Sequence, residues 1–426
     1  LPPADQPRLP PLSRAPALPV AILLAIVPTV AVLQFRAIAL VTSLGLLATV
    51  LLARRASGAW PWPRLPAPAL AAALALGGWT ALTAFWAPDP WRTLGTGLRF
   101  AGFVLLGAAA ARAVAAEPME RLRLLRHCLL AGLALGIVLA AGDHLSGNAL
   151  RAAVRGLREA PLTLGYGLKS AVAVIAVLLP VAAGLPGVNR LLRLALVLGG
   201  LGAALVVPAE SAKLAAFAGI AILLLGWWMG GRLARRLGLA AAAALLAAPL
   251  LTAVLLPRLP ALERIQPSAA HRILIWDFAT DRIAERPLFG WGGEAARAIP
   301  GGTAVFDAAT LHRFGLDSAA ARDWFARPQA QRLPLHTHNA ALQVWLELGA
   351  VGAVLAAWLL AALGAAAGRV APAAGAAGGF AATLLIGMLS YGVWQEWWIG
   401  MLLLLLVTIA AMDALAAQES PRSSAT

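Results

Sequence analysis

Twelve apolar runs, each about as long as a bilayer is thick, limit what this chain can fold into. A helix that crosses the hydrocarbon core needs roughly 20 apolar residues. Such runs lie near 17–34, 37–53, 67–86, 98–116, 127–143, 170–187, 191–208, 213–230, 237–256, 339–366, 372–394 and 398–416. The composition agrees. Only 12% of the 426 residues are charged and 61% are hydrophobic, whereas a soluble domain is about one quarter charged. The expected class is therefore an all-α integral membrane protein of about twelve transmembrane helices.

The chain divides accordingly. Residues 1–16 ("LPPADQPRLPPLSRAP", with Arg8 and Arg14) read as a disordered cytoplasmic tail, 17–256 as spans one to nine, and 257–338 as one large loop. Residues 339–416 follow as spans ten to twelve, and 417–426 as a second polar tail. With the first residues placed in the cytoplasm, alternate turns should be basic. They are, carrying Arg54, Arg55 and Arg64; Arg121, Arg123 and Arg126; Arg190 and Arg193; Arg232, Arg235 and Arg236; and Arg369. Both tails then lie inside and the large loop outside. The net charge of +15 would suggest nucleic acid in a soluble chain. Here the arginines punctuate apolar runs, so topology, membrane lipids and anionic ligands account for them and nucleic acid does not. The single cysteine, Cys128, allows no internal disulfide and no thiolate metal site.

Several cations sit on the outward side despite the rule. Arg151, Arg155 and Arg158 are spaced by 4 and 3, which places them on one face of a predicted amphipathic helix with Leu150, Val154 and Leu157 as its apolar stripe. That face can rest on lipid headgroups or attract an anionic ligand. Lys169 lies further along the same outward segment. Lys213 opens a span beside Glu210 and Ser211, where a cation opposes the helix dipole. It is either an interface lysine paired to Glu210 or a point charge for a phosphate seated over the helix N-terminus. In the large loop, Ser268 is the expected N-cap of a helix with Ile273, Trp276, Thr280 and Ile283 at helical spacing. Arg272, Arg282 and Arg286 lie on its polar side, and Pro287 ends it in the Gly-rich turn "RPLFGWGG".

The loop closes with "LPLHTHNAALQVWLELG" (Leu333–Gly349), which holds His336 and His338. Asn339, Gln343 and Glu347 follow at intervals of four, a polar stripe that must face protein or a water-filled cavity. Two histidines at i and i+2 do not share a helical face, so no metal site is expected. Thr337 or Asn339 can cap the helix without imidazole. Acid–base work at the outer membrane surface remains.

Together, "RILIWDFATDRIAERPLFGWG" (Arg272–Gly292) and "HNAALQVWLELGAVG" (His338–Gly352) resemble the O-antigen ligase and polymerase superfamily. The resemblance implies a glycosyltransferase of the GT-C class in the bacterial inner membrane, active on the periplasmic side without metal or other cofactor. Its donor would be a glycan on undecaprenyl pyrophosphate and its acceptor a sugar hydroxyl of lipid A–core. A polymerase, whose acceptor is another lipid-linked repeat, is the alternative, and a lipid-linked glycan transporter the rival from another class. The resemblance places the base on His338 and pyrophosphate binding on Arg272 and Lys213, with Arg286 or Arg158 as helpers. His336, Asn339, Gln343 and Glu347 would line the site.

Overall fold

The computed structural model describes residues 12–63 and 67–420. Residues 1–11 with Arg8, residues 64–66 with Arg64, and residues 421–426 lie outside the described residues. All twelve predicted spans are helices: α1 (Ala17–Gln34), α2 (Ala37–Ser57), α3 (Ala67–Leu82), α4 (Pro90–Ala115), α5 (Met119–Leu145), α7 (Leu168–Gly184), α8 (Arg190–Val206), α9 (Glu210–Met229), α10 (Gly231–Leu255), α14 (Ala340–Ala367), α15 (Ala373–Leu389) and α16 (Glu396–Glu419). Among the described residues, ten helices are long and apolar enough to cross a membrane. The other two, α8 and α15, are 17 residues long. Four helices lie between spans: α6 (Ala149–Val154), α11 (Pro267–Glu285), α12 (Ala308–Arg313) and α13 (Ala319–Phe325).

The expected tails are shorter than their composition suggested. Leu12–Arg14 form a 3-10 turn and Ala15 is fully buried. At the other end α16 continues to Glu419, whose carboxylate accepts from Arg123 at 3.0 Å and Arg126 at 3.3 Å. Cations from one basic turn hold that end of the helix.

Helix α7 is apolar on every side and buried along nearly its whole length, packed by α1, α5, α8, α9 and α15. A helix without a polar face belongs at the centre of a bundle. Around it, helices meet through small residues. Gly238 lies against Gly364 and Gly231 against Gly368 where α10 crosses α14, and a side chain at any of the four would strike backbone. Between membrane helices, close backbone approach supplies the dispersion that hydrophobic burial supplies in water.

The large loop has its own core of Leu262, Leu274, Phe306, Leu311, Phe314 and Phe325. Helix α11 packs on α10 and α14. It begins at Pro267 with Gln266 as its cap residue, not at Ser268 as expected, and no side chain caps it. Proline at the first helical position sacrifices no hydrogen bond, since that N–H has no partner in a helix.

The loop and α14 join where the segments Arg272–Gly292 and His338–Gly352 meet. Gly349 has φ 65° and ψ −164°, so α14 is broken there. The break frees carbonyls before it and N–H groups after it, which lipid cannot satisfy. The turn Arg286–Gly292 inserts its own backbone. The N–H groups of Trp291 and Gly292 donate to the carbonyls of Leu346 (3.0 Å) and Glu347 (2.7 Å), and those of Ala350 and Val351 donate to Pro287 (2.8 Å) and Leu288 (3.3 Å). Indole N–H groups supply the rest: Trp79 donates to the Leu348 carbonyl (3.0 Å) and Trp86 to the Gly290 carbonyl (3.2 Å). The glycines are required here, because a Cβ on Gly290 or Gly349 would overlap the opposite backbone.

Candidate active site

The histidine turn is held from both sides. His338 has φ 53°, a left-handed conformation uncommon outside glycine. It lets the chain leave the loop and enter α14, where the Asn339 side chain accepts from the Leu342 N–H at 3.1 Å. The Thr337 hydroxyl donates to the Asn339 carbonyl at 2.6 Å. Trp276 donates its indole N–H to the Thr337 carbonyl at 2.9 Å. Arg272 is four residues earlier on α11, so one helical face presents the arginine and pins the histidine turn.

The two imidazoles converge on a single atom, the Ser390 carbonyl between α15 and α16. His338 Nδ1 lies 2.7 Å from it and His336 Nε2 lies 3.1 Å from it. A carbonyl oxygen only accepts, so both nitrogens donate. The tautomer of His338 follows: Nδ1 carries hydrogen and Nε2 keeps its lone pair. Burial first, then the neighbouring His336 and Arg272, push the His338 imidazole down to about 3. His336 is also shifted down, mainly by burial. Both rings are therefore neutral near pH 7. Gly392 passes tightly by, since a Cβ there would come within 3.0 Å of the His336 ring.

His336 and His338 line a cavity of about 1180 Å³, together with Gln343, Ser390, Tyr391, Trp394 and Trp397. Tyr391 packs edge-on against Trp397, ring centres 4.6 Å apart, and burial pushes its hydroxyl up to about 12. Arg272 and Lys169 line it as well. Among the described residues, neither has a carboxylate within ion-pair distance. Lys169 rests over the Tyr166 ring at 5.0 Å. Arg272 is half-buried and Lys169 exposed in the cavity wall, and two cations there without a carboxylate at ion-pair distance form a site for an anion.

Other expected residues are placed elsewhere. Arg158 is exposed and far from the expected helical face, because α6 ends at Val154 and Gly156 follows with φ 66°. Arg151 is fully buried instead. It binds Asp143 at 2.6 Å, the Asn148 side chain at 2.6 Å and the Leu164 carbonyl at 2.5 Å. The anticipated stripe is inverted, with Val154 and Leu157 exposed. Arg286 stacks its guanidinium 4.0 Å over the Trp291 ring and does not line the cavity. Lys213 pairs with Glu210 at 3.1 Å; Glu210 and Ser211 reach the cavity wall, the lysine does not. Ser211 and Ser390 share a hydroxyl–hydroxyl hydrogen bond.

The polar stripe of α14 also divides. Gln343 reaches the cavity, whereas Asn339 serves as the cap. Glu347 is fully buried beneath the cavity floor. It accepts from Trp394 Nε1 (2.5 Å), the Glu294 N–H (2.8 Å) and Gln343 Nε2 (3.1 Å). Its work is to tie the Gly-rich turn, α14 and the Gly392–Trp394 segment together. His271 belongs to the loop core, with Nε2 2.8 Å from the Gln331 carbonyl and its ring edge-on to Trp324 and Phe325. His312 is exposed beside Asp317.

A turn from a Gly-rich loop wedged into a broken span, with an arginine and a histidine facing one cavity above it, is the arrangement that the two sequence patterns build jointly. Comparison with known proteins identifies that part of the chain: a family model described as O-antigen ligase matches residues 194–357. Residues 194–357 are thus similar to the O-antigen ligase family. The matched segment runs from α8 to the middle of α14, so it includes Arg272, the wedge turn and both histidines. Three rickettsial proteins, each named "putative polysaccharide ligase", align with the chain. The one from Rickettsia bellii is 36% identical over 136 residues, 31% of this chain and 29% of its own length. Those from Rickettsia conorii and Rickettsia prowazekii are 34% and 33% identical over 137 and 138 residues, 32% of this chain each and 29% and 30% of their own lengths. The chain thus matches about three tenths of the length of these curated relatives.

The cavity also contains residues that sequence reasoning did not select: Arg36, Arg99, Glu294, Arg297, Glu396 and Tyr391. They come from four separate stretches of chain. The one local signal is at Glu294, a carboxylate directly after "GWGG".

Proposed function

We propose that the protein is a membrane transferase that moves a glycan from undecaprenyl pyrophosphate to a sugar hydroxyl of lipid A–core. The reaction would take place on the periplasmic side of the bacterial inner membrane. The orientation rests on the basic turns at the opposite ends of the helices. The observation that carries the reading is the pairing, in one cavity, of a fixed neutral imidazole with two unneutralised cations.

The chemistry uses both parts. Arg272 and Lys169 hold the pyrophosphate and offset the charge that grows on it as the glycosidic C–O bond breaks. His338 Nε2 accepts the hydrogen of the acceptor hydroxyl, whose oxygen attacks the anomeric carbon. The proton passes by way of Nε2 to solvent, and the lipid pyrophosphate departs as an anion. One displacement inverts the anomeric centre. A bound pyrophosphate also counters the cations that depress the imidazole, so donor binding makes His338 a better proton acceptor. The Ser390 carbonyl keeps the ring aligned throughout, as a carboxylate does in other histidine sites.

Incubating purified protein with a lipid-linked glycan and lipid A–core tests the reading. Glycan on the core is the expected product, and it should disappear with His338→Ala. Chain growth from the donor alone, without core modification, would assign a polymerase instead.

A further inference from the structure

The cavity has a second polar wall that this reaction leaves unused. It is built around Glu294. Its N–H donates to buried Glu347 at 2.8 Å, and its side chain accepts from the Thr96 hydroxyl at 2.7 Å. Arg99 lies 3.7 Å from the same carboxylate and Arg297 3.8 Å from it. Arg99 also reaches Glu396 at 2.6 Å. Glu294 has φ 56°. Among described residues other than glycine, positive φ occurs at Asn148, Glu294 and His338. Two of these three line the same cavity. Such a backbone persists only where its surroundings over-determine it. Glu347 does so here, and through Gln343 the same carboxylate is tied to the segment that carries Gly392 against His336.

The two walls differ in charge. Arg272 and Lys169 present cations without acidic partners. Around Glu294, two guanidinium groups face two carboxylates, so the wall is neutral overall yet dense in donors and acceptors. An anion placed there meets two carboxylates. A saccharide meets what its hydroxyls need: carboxylate oxygens to donate to and guanidinium N–H groups to accept from. Trp394 and Trp397 line the same cavity, largely buried behind this wall.

We propose that this wall is the subsite for the acceptor saccharide, with Glu294 binding acceptor hydroxyls and so selecting which one faces His338. The assignment of that saccharide as acceptor rests on the transferase reading above, but its binding is measured separately. Titration calorimetry on the purified full chain would use two probes, deacylated core oligosaccharide and undecaprenyl pyrophosphate. Glu294→Ala should weaken saccharide binding about tenfold or more while changing lipid pyrophosphate affinity less than about twofold. Glu294→Gln, which keeps an acceptor oxygen and the shape of the side chain, should fall between wild type and Glu294→Ala. Arg272→Ala should show the reverse preference. Equal weakening of both probes by Glu294→Ala, no weakening of either, or a wild type that does not bind the saccharide would each overturn the subsite. A wild type that binds saccharide through Glu294 yet transfers no glycan to core would keep the subsite and remove the ligase reading.

Discussion

Arg151 and Arg272 make an instructive pair. Each lies in a segment expected to face outward, on an amphipathic stretch with further arginines at helical spacing, and each looks like a cation offered to an anionic ligand. The structure separates them. Arg151 has Asp143 eight residues earlier and is fully buried, binding that carboxylate through both backbone and side chain. Arg272 has Trp276 one turn later, which binds the histidine turn and leaves the guanidinium without an acidic partner in the cavity. The same side chain closes a loop in one region and opens a ligand site in the other. The deciding factor is whether a carboxylate waits within reach.

That contrast can be broken experimentally. The largest effect should come from Arg151→Ala, which leaves Asp143 buried and unpaired and costs about 3–5 kcal/mol. Thermal unfolding of the detergent-solubilised protein would measure it, and an unchanged midpoint would refute the clamp. Arg272→Ala should do the opposite, cutting transfer by about 10²–10³-fold with little change in the unfolding midpoint. Trp276→Phe removes one hydrogen bond to Thr337 and should lower turnover about tenfold, through misplacement of His338 and not loss of donor affinity. Arg158→Ala, at an exposed position outside the cavity, should stay within about 0.5 kcal/mol of wild type in stability.

The imidazole gives a pH test of the same site. His338 is shifted down to about 3, chiefly by burial. Its proton-accepting form is therefore complete at neutral pH and is lost only as pH falls through that low value. In stability terms, the unfolded chain binds the proton more readily below about pH 6.5. The contribution to stability is present above that pH and declines as pH falls toward 3. The rate profile of kcat/KM, which reports the free enzyme, should stay level down to about pH 5. An inflection near 6.5 in the wild-type profile would mean an ordinary, solvated imidazole.

Much of this was legible in the chain. The helices, their order and the basic turns follow from apolar length and charge, which act locally and need no partner. The residue patterns at Arg272–Gly292 and His338–Gly352 marked the right two segments. They did not reveal that one is wedged into a break in the other. A carboxylate in an apolar run suggests that Glu347 lines the site, yet Gln343 one turn earlier and two donors from distant segments, Glu294 and Trp394, surround it. The family resemblance groups Arg158, Arg286 and Lys213 with Arg272. One lies beyond a glycine that ends its helix, one is stacked on Trp291, and one is neutralised by Glu210.

By itself, the sequence determined the membrane class, the spans and the two segments that meet at the cavity, because hydrophobic length and backbone satisfaction in lipid leave few alternatives. Only the tertiary structure decided which cations stay unpaired, which nitrogen of His338 keeps its lone pair and where Glu294 points. Each of those depends on which partner the fold brings close, from Glu210 beside Lys213 to Ser390 beside His338 and Thr96 beside Glu294, and electrostatics at a few ångströms is set by neighbours in space.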